Sequence, residues 1–267
     1  MIQSTLARLG AMVSAAALVT ACGTVDSLHS AVDSATDAAV HGMTGTRHTG
    51  GPPPSSGGGG APPPMALHGY SMALFQALFY QGGYDLATEG FDPGEYVQWQ
   101  ASGVGDGDWL EKALLRRRDD GSEWWRVASH SGDGTIIMEA LFAPAGSDGS
   151  RQIRRMRVKW PDKEPQEVPI TEEESSRWVL HGQRTLTEES YAGLKVGVED
   201  VSVPAGSFTT DHLRTGHPGR GGTVHWWVSE QIPGGVVKFR WEGEDDKQIL
   251  ALKDFGDGAT ESKLGVF

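Results

Sequence analysis

The sequence predicts a mainly β (α+β) fold: an antiparallel sheet of roughly nine strands with one N-terminal amphipathic helix. Between residues 95 and 255, β-like runs recur about every 8 to 14 residues, and Gly, Asp and Pro separate them, as in an antiparallel meander. Within residues 151–160, Arg155 and Arg157 alternate with Met156 and Val158, which predicts one wet and one buried face. Ahead of these runs, the apolar residues recur at helical spacing.

The helix is predicted over residues 67–81. Its apolar face is unusually aromatic and consists of Leu67, Tyr70, Leu74, Phe75, Leu78 and Phe79. Gly82 and Gly83 follow and end the pattern. An unclosed sheet cannot fill its interior with its own side chains, so this helix would complete the core or leave a cleft.

The strands are predicted, in order, over residues 95–102, 109–118, 122–130, 135–142, 151–160, 194–203, 207–215, 223–230, 236–242 and 247–255. Leu110, Ala113 and Leu114 would also suit a helix, but hairpin-like turns at both ends of 109–118 favour a strand. Residues 171–181 begin with Thr171 and three acidic residues, a pattern that predicts a short helix.

Three runs in the second half carry a family resemblance: Val203-Pro204-Ala205-Gly206-Ser207-Phe208, His225-Trp226-Trp227-Val228-Ser229, and Ile232-Pro233-Gly234-Gly235-Val236-Val237-Lys238. They resemble a pattern of uncharacterised exported bacterial proteins, which are similar in turn to the lipoprotein-localisation carriers. That resemblance implies a curled, unclosed antiparallel sheet, or half-barrel, with helices on its concave side. The N-terminal amphipathic helix would then lie across the sheet.

In the carriers, the concave side holds acyl chains. The resemblance therefore implies that inward-facing aromatic residues could bind an apolar ligand here, and the candidates are Phe75, Phe79, Trp226 and Trp241. The alternative is that these side chains only pack the core and form cross-strand pairs.

Cys22 is the only cysteine of the chain and follows an apolar stretch that ends in Ala21. Arg8 and the apolar residues 9–19 precede it, in the arrangement of a signal peptide. The pattern resembles the lipobox of bacterial lipoproteins, which implies removal of residues 1–21 and acylation of Cys22. The apolar run is shorter than the roughly 20 residues that a membrane-spanning helix needs. An ordinary cleaved signal with a nearby cysteine is the alternative.

The segment after the cysteine predicts a tether. Residues 43–64 are rich in Gly and Pro and nearly free of apolar side chains, so they cannot bury enough surface to offset the entropy of ordering. We therefore expect a lipid anchor and linker over 22–65 and a single β domain over 66–267.

Charge and motifs narrow the class of function. The net charge of -12 and the pI of about 5.2 disfavour nucleic acid and anionic lipid head groups as partners. The chain has no G-x-S-x-G, H-E-x-x-H or P-loop motif, so we expect no enzyme activity and no cofactor. Acid pairs such as Asp119 and Asp120 lack EF-hand spacing and predict solvated turns.

One histidine group remains open. Asp211, His212, His217 and His225 lie on both arms of a predicted hairpin. Counting from a tip near Gly219 places residue 212 opposite 225 or 226, and the register decides whether the two imidazoles share a face. If they do, His212, His225 and a nearby carboxylate could bind zinc. Otherwise they are polar outward residues.

These observations predict a lipid-anchored, non-enzymatic envelope protein, most simply at the outer membrane facing the periplasm, because Gly23 stands where an aspartate would signal inner-membrane retention. It would bind an apolar ligand or an envelope protein. The alternatives are a structural or assembly lipoprotein with a filled core, and a metal-dependent hydrolase.

Overall fold

The computed structural model describes residues 71–72, 74–75, 78–79, 90–102, 108–131, 134–147, 150–172, 175, 179–180, 188–216, 222–244 and 247–267. These residues form twelve strands: β1 (Tyr96–Ser102), β2 (Trp109–Arg117), β3 (Glu123–Ser131), β4 (Gly134–Phe142), β5 (Arg151–Lys159), β6 (Gln166–Val168), β7 (Val179–Leu180), β8 (Lys195–Val203), β9 (Gly206–Gly216), β10 (Thr223–Val228), β11 (Val236–Glu242) and β12 (Lys247–Gly256). A short helix, Glu188–Leu194, precedes β8.

Eleven of the described strands form one open antiparallel sheet in the order β6-β5-β4-β3-β2-β1-β12-β11-β10-β9-β8, and β7 pairs only with β5. The first six strands and the last five are each a meander. The two meanders join where β1 pairs with β12, from Tyr96 opposite Gly256 to Ser102 opposite Ile249. β1 is the first and β12 the last of the described strands in chain order, so this pairing joins the two ends of the domain's sequence.

The main core lies on one face of the sheet. Leu114, Trp125, Ala140, Met156 and Val168 stand opposite one another on five successive strands and are at most 2% exposed. Burying each large side chain contributes about 1.5 to 3 kcal/mol. Half of the alternation predicted for residues 151–160 is confirmed, since Met156 and Val158 are fully buried. The predicted wet face is wrong at Arg157, which is 6% exposed because the C-terminal residues cover it and the Val266 carbonyl accepts a hydrogen bond from it.

The opposite face carries an unexpected row of charged residues. Arg126, Glu139, Arg157 and Glu167 stand directly opposite one another on β3, β4, β5 and β6, so their charges alternate in sign across the sheet. The first three are at most 6% exposed. Directly opposed opposite charges stabilise neighbouring strands. We call these four residues the charge row.

The C-terminal segment, residues 257–267, covers the charge row. Glu139 accepts hydrogen bonds from the Ser262 hydroxyl and from the Lys263 backbone N–H, the latter over 2.8 Å. Arg126 donates to the Glu261 carbonyl over 3.2 Å. These bonds supply partners to groups that would otherwise be buried without them.

Several sequence predictions need correction. The sheet has eleven strands rather than roughly nine. All ten predicted ranges form strands of this sheet, and the eleventh, β6, has only three residues and is too short to show a pattern. Residues 109–118 do form a strand, β2. In 171–181, Glu172 and Ser175 are helical but 179–180 form β7, and the helix Glu188–Leu194 was not predicted.

The N-terminal helix remains a prediction. The described residues 71, 72, 74, 75, 78 and 79 are helical, and the rest of 67–81 lies outside the described residues. The proposed signal peptide and linker over 1–65 also lie outside them. No helix within the described ranges is both long and apolar enough to cross a membrane.

Candidate functional site

The two histidines predicted as metal ligands lie on neighbouring strands and share one face of the sheet. His212 on β9 stands opposite Trp227 on β10, and His225 on β10 stands opposite Arg214. Because strand side chains alternate, residues 225 and 227 point to the same side. The predicted register placed residue 212 opposite 225 or 226. The observed partner of His212 is Trp227, because Gly216 pairs with Thr223 and leaves six residues in the connection.

A carboxylate and the two imidazoles form a continuous hydrogen-bonded chain across three strands. Glu199 Oε1 on β8 is 2.8 Å from His212 Nδ1, and His212 Nε2 is 2.9 Å from His225 Nδ1. The indole Nε1 of Trp227 donates to Glu199 Oε2 over 2.9 Å. We call Glu199, His212, His225 and Trp227 the histidine network.

Stacked rings hold this arrangement. The Trp227 ring lies 4.7 Å from that of His212 and 5.8 Å from that of His225, and the rings are tilted by only 14° and 15°. Lys238 Nζ lies 4.9 Å from the Trp227 ring centre, and Arg240 Cζ lies 5.5 Å away. Both histidines are less than 9% exposed, so little freedom remains for either imidazole.

The hydrogen bonds fix where the protons lie. Glu199 stays ionised, because the Trp227 indole and His212 hydrogen-bond to it and lower the pKa of its carboxyl. His212 therefore donates from Nδ1 and, when neutral, accepts at Nε2 from His225 Nδ1. This leaves the lone pair of His225 on Nε2, 4.0 Å from Glu242 Oε2.

His225 resists protonation. Burial lowers its pKa, and Arg240 and the neighbouring imidazole of His212 lower it further, while Glu242 acts in the opposite direction. Arg214 adds another positive charge. At neutral pH, His225 is thus an uncharged base with one nitrogen lone pair available.

The zinc hypothesis for His212 and His225 stays a prediction. The described residues contain no group of three or more His, Cys, Asp or Glu side chains placed to hold a metal ion. The carboxylate expected beside the histidines was Asp211, but Asp211 bonds instead with Lys195 over 2.8 Å and with the Tyr191 hydroxyl over 2.8 Å. His217 lies outside the described residues.

Sequence reasoning missed Glu199, which stands 13 residues before His212. No spacing rule links the two positions, because they meet only through the pairing of β8 with β9. β8 is mostly exposed and shows no alternation in burial, so its pattern gave no signal that would single out Glu199.

The aromatic residues proposed as ligand contacts are core residues in the structure. Phe75 packs edge-on against Phe142 at 5.9 Å, and Phe79 against Trp125 at 5.3 Å. Trp226 is 3% exposed and contacts Phe239 at 6.2 Å, whereas Trp241 packs against the core but is only partly buried. Cys22, the proposed lipidation site, lies outside the described residues.

Comparison with known proteins gives little more. No protein-family model and no curated protein matches the chain. Among solved structures, a chain of Bacteroides fragilis described as a candidate exported protein with a YmcC-like fold is 10% identical, with a TM-score of 0.31 over 62% of this chain and 96% of that one. A candidate lipoprotein of Parabacteroides distasonis is 9% identical, with a TM-score of 0.30 over 62% and 96%. At these scores, neither likeness decides the fold or the function.

Proposed function

We propose that this chain is a lipid-anchored, non-enzymatic envelope lipoprotein whose β domain acts by contacting an envelope partner. The observation that carries the choice of a partner over an apolar ligand is the packing of the aromatic face. Phe75, Phe79, Trp125 and Phe142 are each at most 2% exposed and contact one another. A ligand would have to displace side chains that already fill this part of the core.

The energetics of that displacement support the proposal. Removing a buried Phe from a core costs about 3 to 5 kcal/mol, and a ligand that pushed Phe75 or Phe79 aside would have to replace those contacts. The surface is different, because Lys195, Glu199 and Asp200 on the edge strand β8 are exposed together with Val196 and Val198, which are 53% and 60% exposed. Contacts with a partner need no repacking there.

The anchor in this proposal is Cys22. A single acyl chain gives only marginal attachment, at about 0.8 kcal/mol per buried CH₂, whereas two or more chains hold firmly. A triacylated Cys22 would therefore hold the domain at a membrane by its acyl chains alone. The acidic protein surface would not need to bind lipid head groups. The outer membrane, facing the periplasm, is the proposed location.

The anchor is tested by substitution and mass. We expect the Cys22→Ser chain to leave the membrane fraction and to lose the mass of the acyl groups, while Thr24→Ser remains membrane-bound. If Cys22→Ser sedimented with membranes as the parent chain does, or if the intact parent carried no acyl mass, the anchor would be wrong.

The choice between partner and ligand has its own test. Native mass spectrometry of the Cys22→Ser chain with a phospholipid should show the unliganded mass. The Phe79→Ala chain, which gains a cavity, should bind a small apolar probe such as benzene. A stoichiometric lipid adduct of the chain with Phe79 intact would favour the apolar-ligand function instead. Bound zinc lost in His212→Ala, together with hydrolytic turnover, would favour the hydrolase.

A further inference from the structure

A concave site lies where the turn between β2 and β3 meets the end of the C-terminal segment. It encloses about 400 Å³ and is lined by Arg116, Arg117, Arg118, Asp119, Asp120 and Phe267. Three consecutive arginines and an aromatic ring thus face one cleft in a protein whose net charge is -12. We call it the arginine cleft.

Two of its arginines form no ion pair within the described residues, although the charge of Arg118 helps the hydrogen bonds from Ser122 to lower the pKa of Asp120. Arg117 is paired with Glu123 over 2.8 Å. In the described part of the chain, no ion pair within 4.0 Å engages Arg116 or Arg118. The acids of the cleft are Asp119 and Asp120, and the Asp120 carboxylate accepts a hydrogen bond from the Ser122 backbone N–H over 2.9 Å. Two guanidinium groups therefore remain available to a ligand.

The wall of the cleft is also rich in positive charge and in N–H donors. The Phe267 ring lies 5.9 Å from Arg116 Cζ and 5.8 Å from the Trp124 ring. Arg157 Cζ and Arg155 Cζ lie 5.2 Å and 5.8 Å from the Trp124 ring. Two further guanidinium groups thus lie near the Trp124 ring behind Phe267, and both form ion pairs with Glu167.

Two buried donors beneath this wall are unsatisfied. Trp124 Nε1 and Arg157 Nη1 are buried, and neither has a hydrogen-bond acceptor among the described residues. Trp124 is fully buried and Arg157 is 6% exposed. Buried N–H groups are nearly always paired, and an exception calls for an acceptor. Both donors are buried and neither residue lines the cleft, so they are not groups that a ligand in the cleft would contact.

We propose that the arginine cleft binds a phosphate group. Arginine forks donate two parallel N–H bonds to phosphate oxygens, and such charge-assisted bonds are stronger than neutral ones. A phosphate in the cleft would bond to Arg116 and Arg118 directly. This proposal is independent of the acyl anchor and of the partner proposed above.

The test uses the full chain with Cys22→Ser, so that membrane binding cannot come from acyl groups. Binding of inorganic phosphate is measured by calorimetry at constant ionic strength, and binding to phosphatidylglycerol vesicles is measured by flotation against phosphatidylcholine vesicles. The site variant is Arg116→Gln with Arg118→Gln. The matched control is Arg214→Gln with Lys253→Gln, which removes two exposed positive charges elsewhere.

We expect the site variant to weaken binding at least about tenfold and the control to bind as the parent does. Binding of phosphate alone identifies a soluble phosphate ligand, and binding of phosphatidylglycerol vesicles alone identifies a lipid head group; either result supports the site if the site variant loses it. A parent chain that binds neither probe overturns the proposal. So does an equal loss in the control, which would show attraction by overall charge only.

Discussion

The buried ion pair between Arg126 and Glu111 offers the sharpest test of how the charged face is stabilised. Arg126 Nε lies 2.7 Å from Glu111 Oε1, and the two side chains are only 5% and 9% exposed. The perturbation is Glu111→Gln, which removes the negative charge and nearly preserves the shape. It leaves the Arg126 guanidinium buried without its closest carboxylate.

The expected magnitude follows from the surroundings of Arg126. Removing one partner of a buried pair costs about 3 to 5 kcal/mol, because the remaining charge is uncompensated. Arg126 keeps its bond to the Glu261 carbonyl and still stands opposite Glu139, so we expect a loss near the lower end, about 3 kcal/mol. Lys263 Nζ, which is 3.6 Å from Glu111, is half exposed and can rehydrate.

The assay is urea unfolding of the parent, Glu111→Gln, Arg126→Met and the double variant. With a slope of about 3 kcal/mol per M, the Glu111→Gln midpoint should fall by about 1 M. The double variant should recover part of the loss, which gives a coupling energy of at least about 2 kcal/mol. Arg155→Met is the control, since Arg155 and Glu167 form an exposed pair, with side chains 41% and 46% exposed, and should cost about 0 to 1 kcal/mol.

A coupling energy below about 0.5 kcal/mol, or a Glu111→Gln midpoint no lower than that of Arg155→Met, would refute this reasoning. Either result would mean that water reaches the pair and screens it. The cover of the C-terminal segment over the charge row would then be far looser than its hydrogen bonds to Glu139 indicate.

Three further predictions concern the histidine network, the close approach at Gly94 and the core. The folded-state pKa of His225 lies below its ordinary value of 6.5, so the unfolded chain binds the extra proton more readily. The free energy of unfolding should therefore be constant well above pH 6.5 and should fall as the pH drops through that value. His225→Gln should make this fall shallower. Gly94 has a φ of 96°, and a Cβ there would lie 2.7 Å from the Asp257 carbonyl oxygen. Gly94→Ala should therefore lower the free energy of unfolding, measured in urea, by more than about 1 kcal/mol. A Cβ at Gly258 would meet nothing within 4 Å, so Gly258→Ala should lower it far less. Phe142→Ala should lower the free energy of unfolding by about 3 to 5 kcal/mol, because Phe142 is 1% exposed and contacts two rings of the helical residues; a loss below about 1 kcal/mol would contradict the packing described.

Most strands could be predicted from sequence because their signals are local. The alternation of residues 151–160 and the Gly- and Asp-rich joints locate β2 to β5 to within a residue or two. The signal fails for β6, where three residues cannot show a period of two. It also fails for Glu188–Leu194, a helix of only seven residues that contains Gly193.

The candidate site was predicted only in part. His212 and His225 were recognised as a pair because both lie on one hairpin. Glu199 was not, because its contact with His212 depends on a third strand. The sequence also could not show that Arg126, Glu139 and Arg157 align under the C-terminal segment. Charged residues on a single strand predict a face exposed to solvent.

Local patterns in the sequence are enough to indicate the β-rich character of the domain, the positions of most strands and a lipid-modified Cys22. Folding had to be known to see that β1 pairs with β12, that Glu199 and the two imidazoles form one hydrogen-bonded chain, and that charged residues are buried on the second face. The period of two and the turn residues act over only a few positions. Pairing and burial depend instead on which distant segments meet, and a local pattern does not record that.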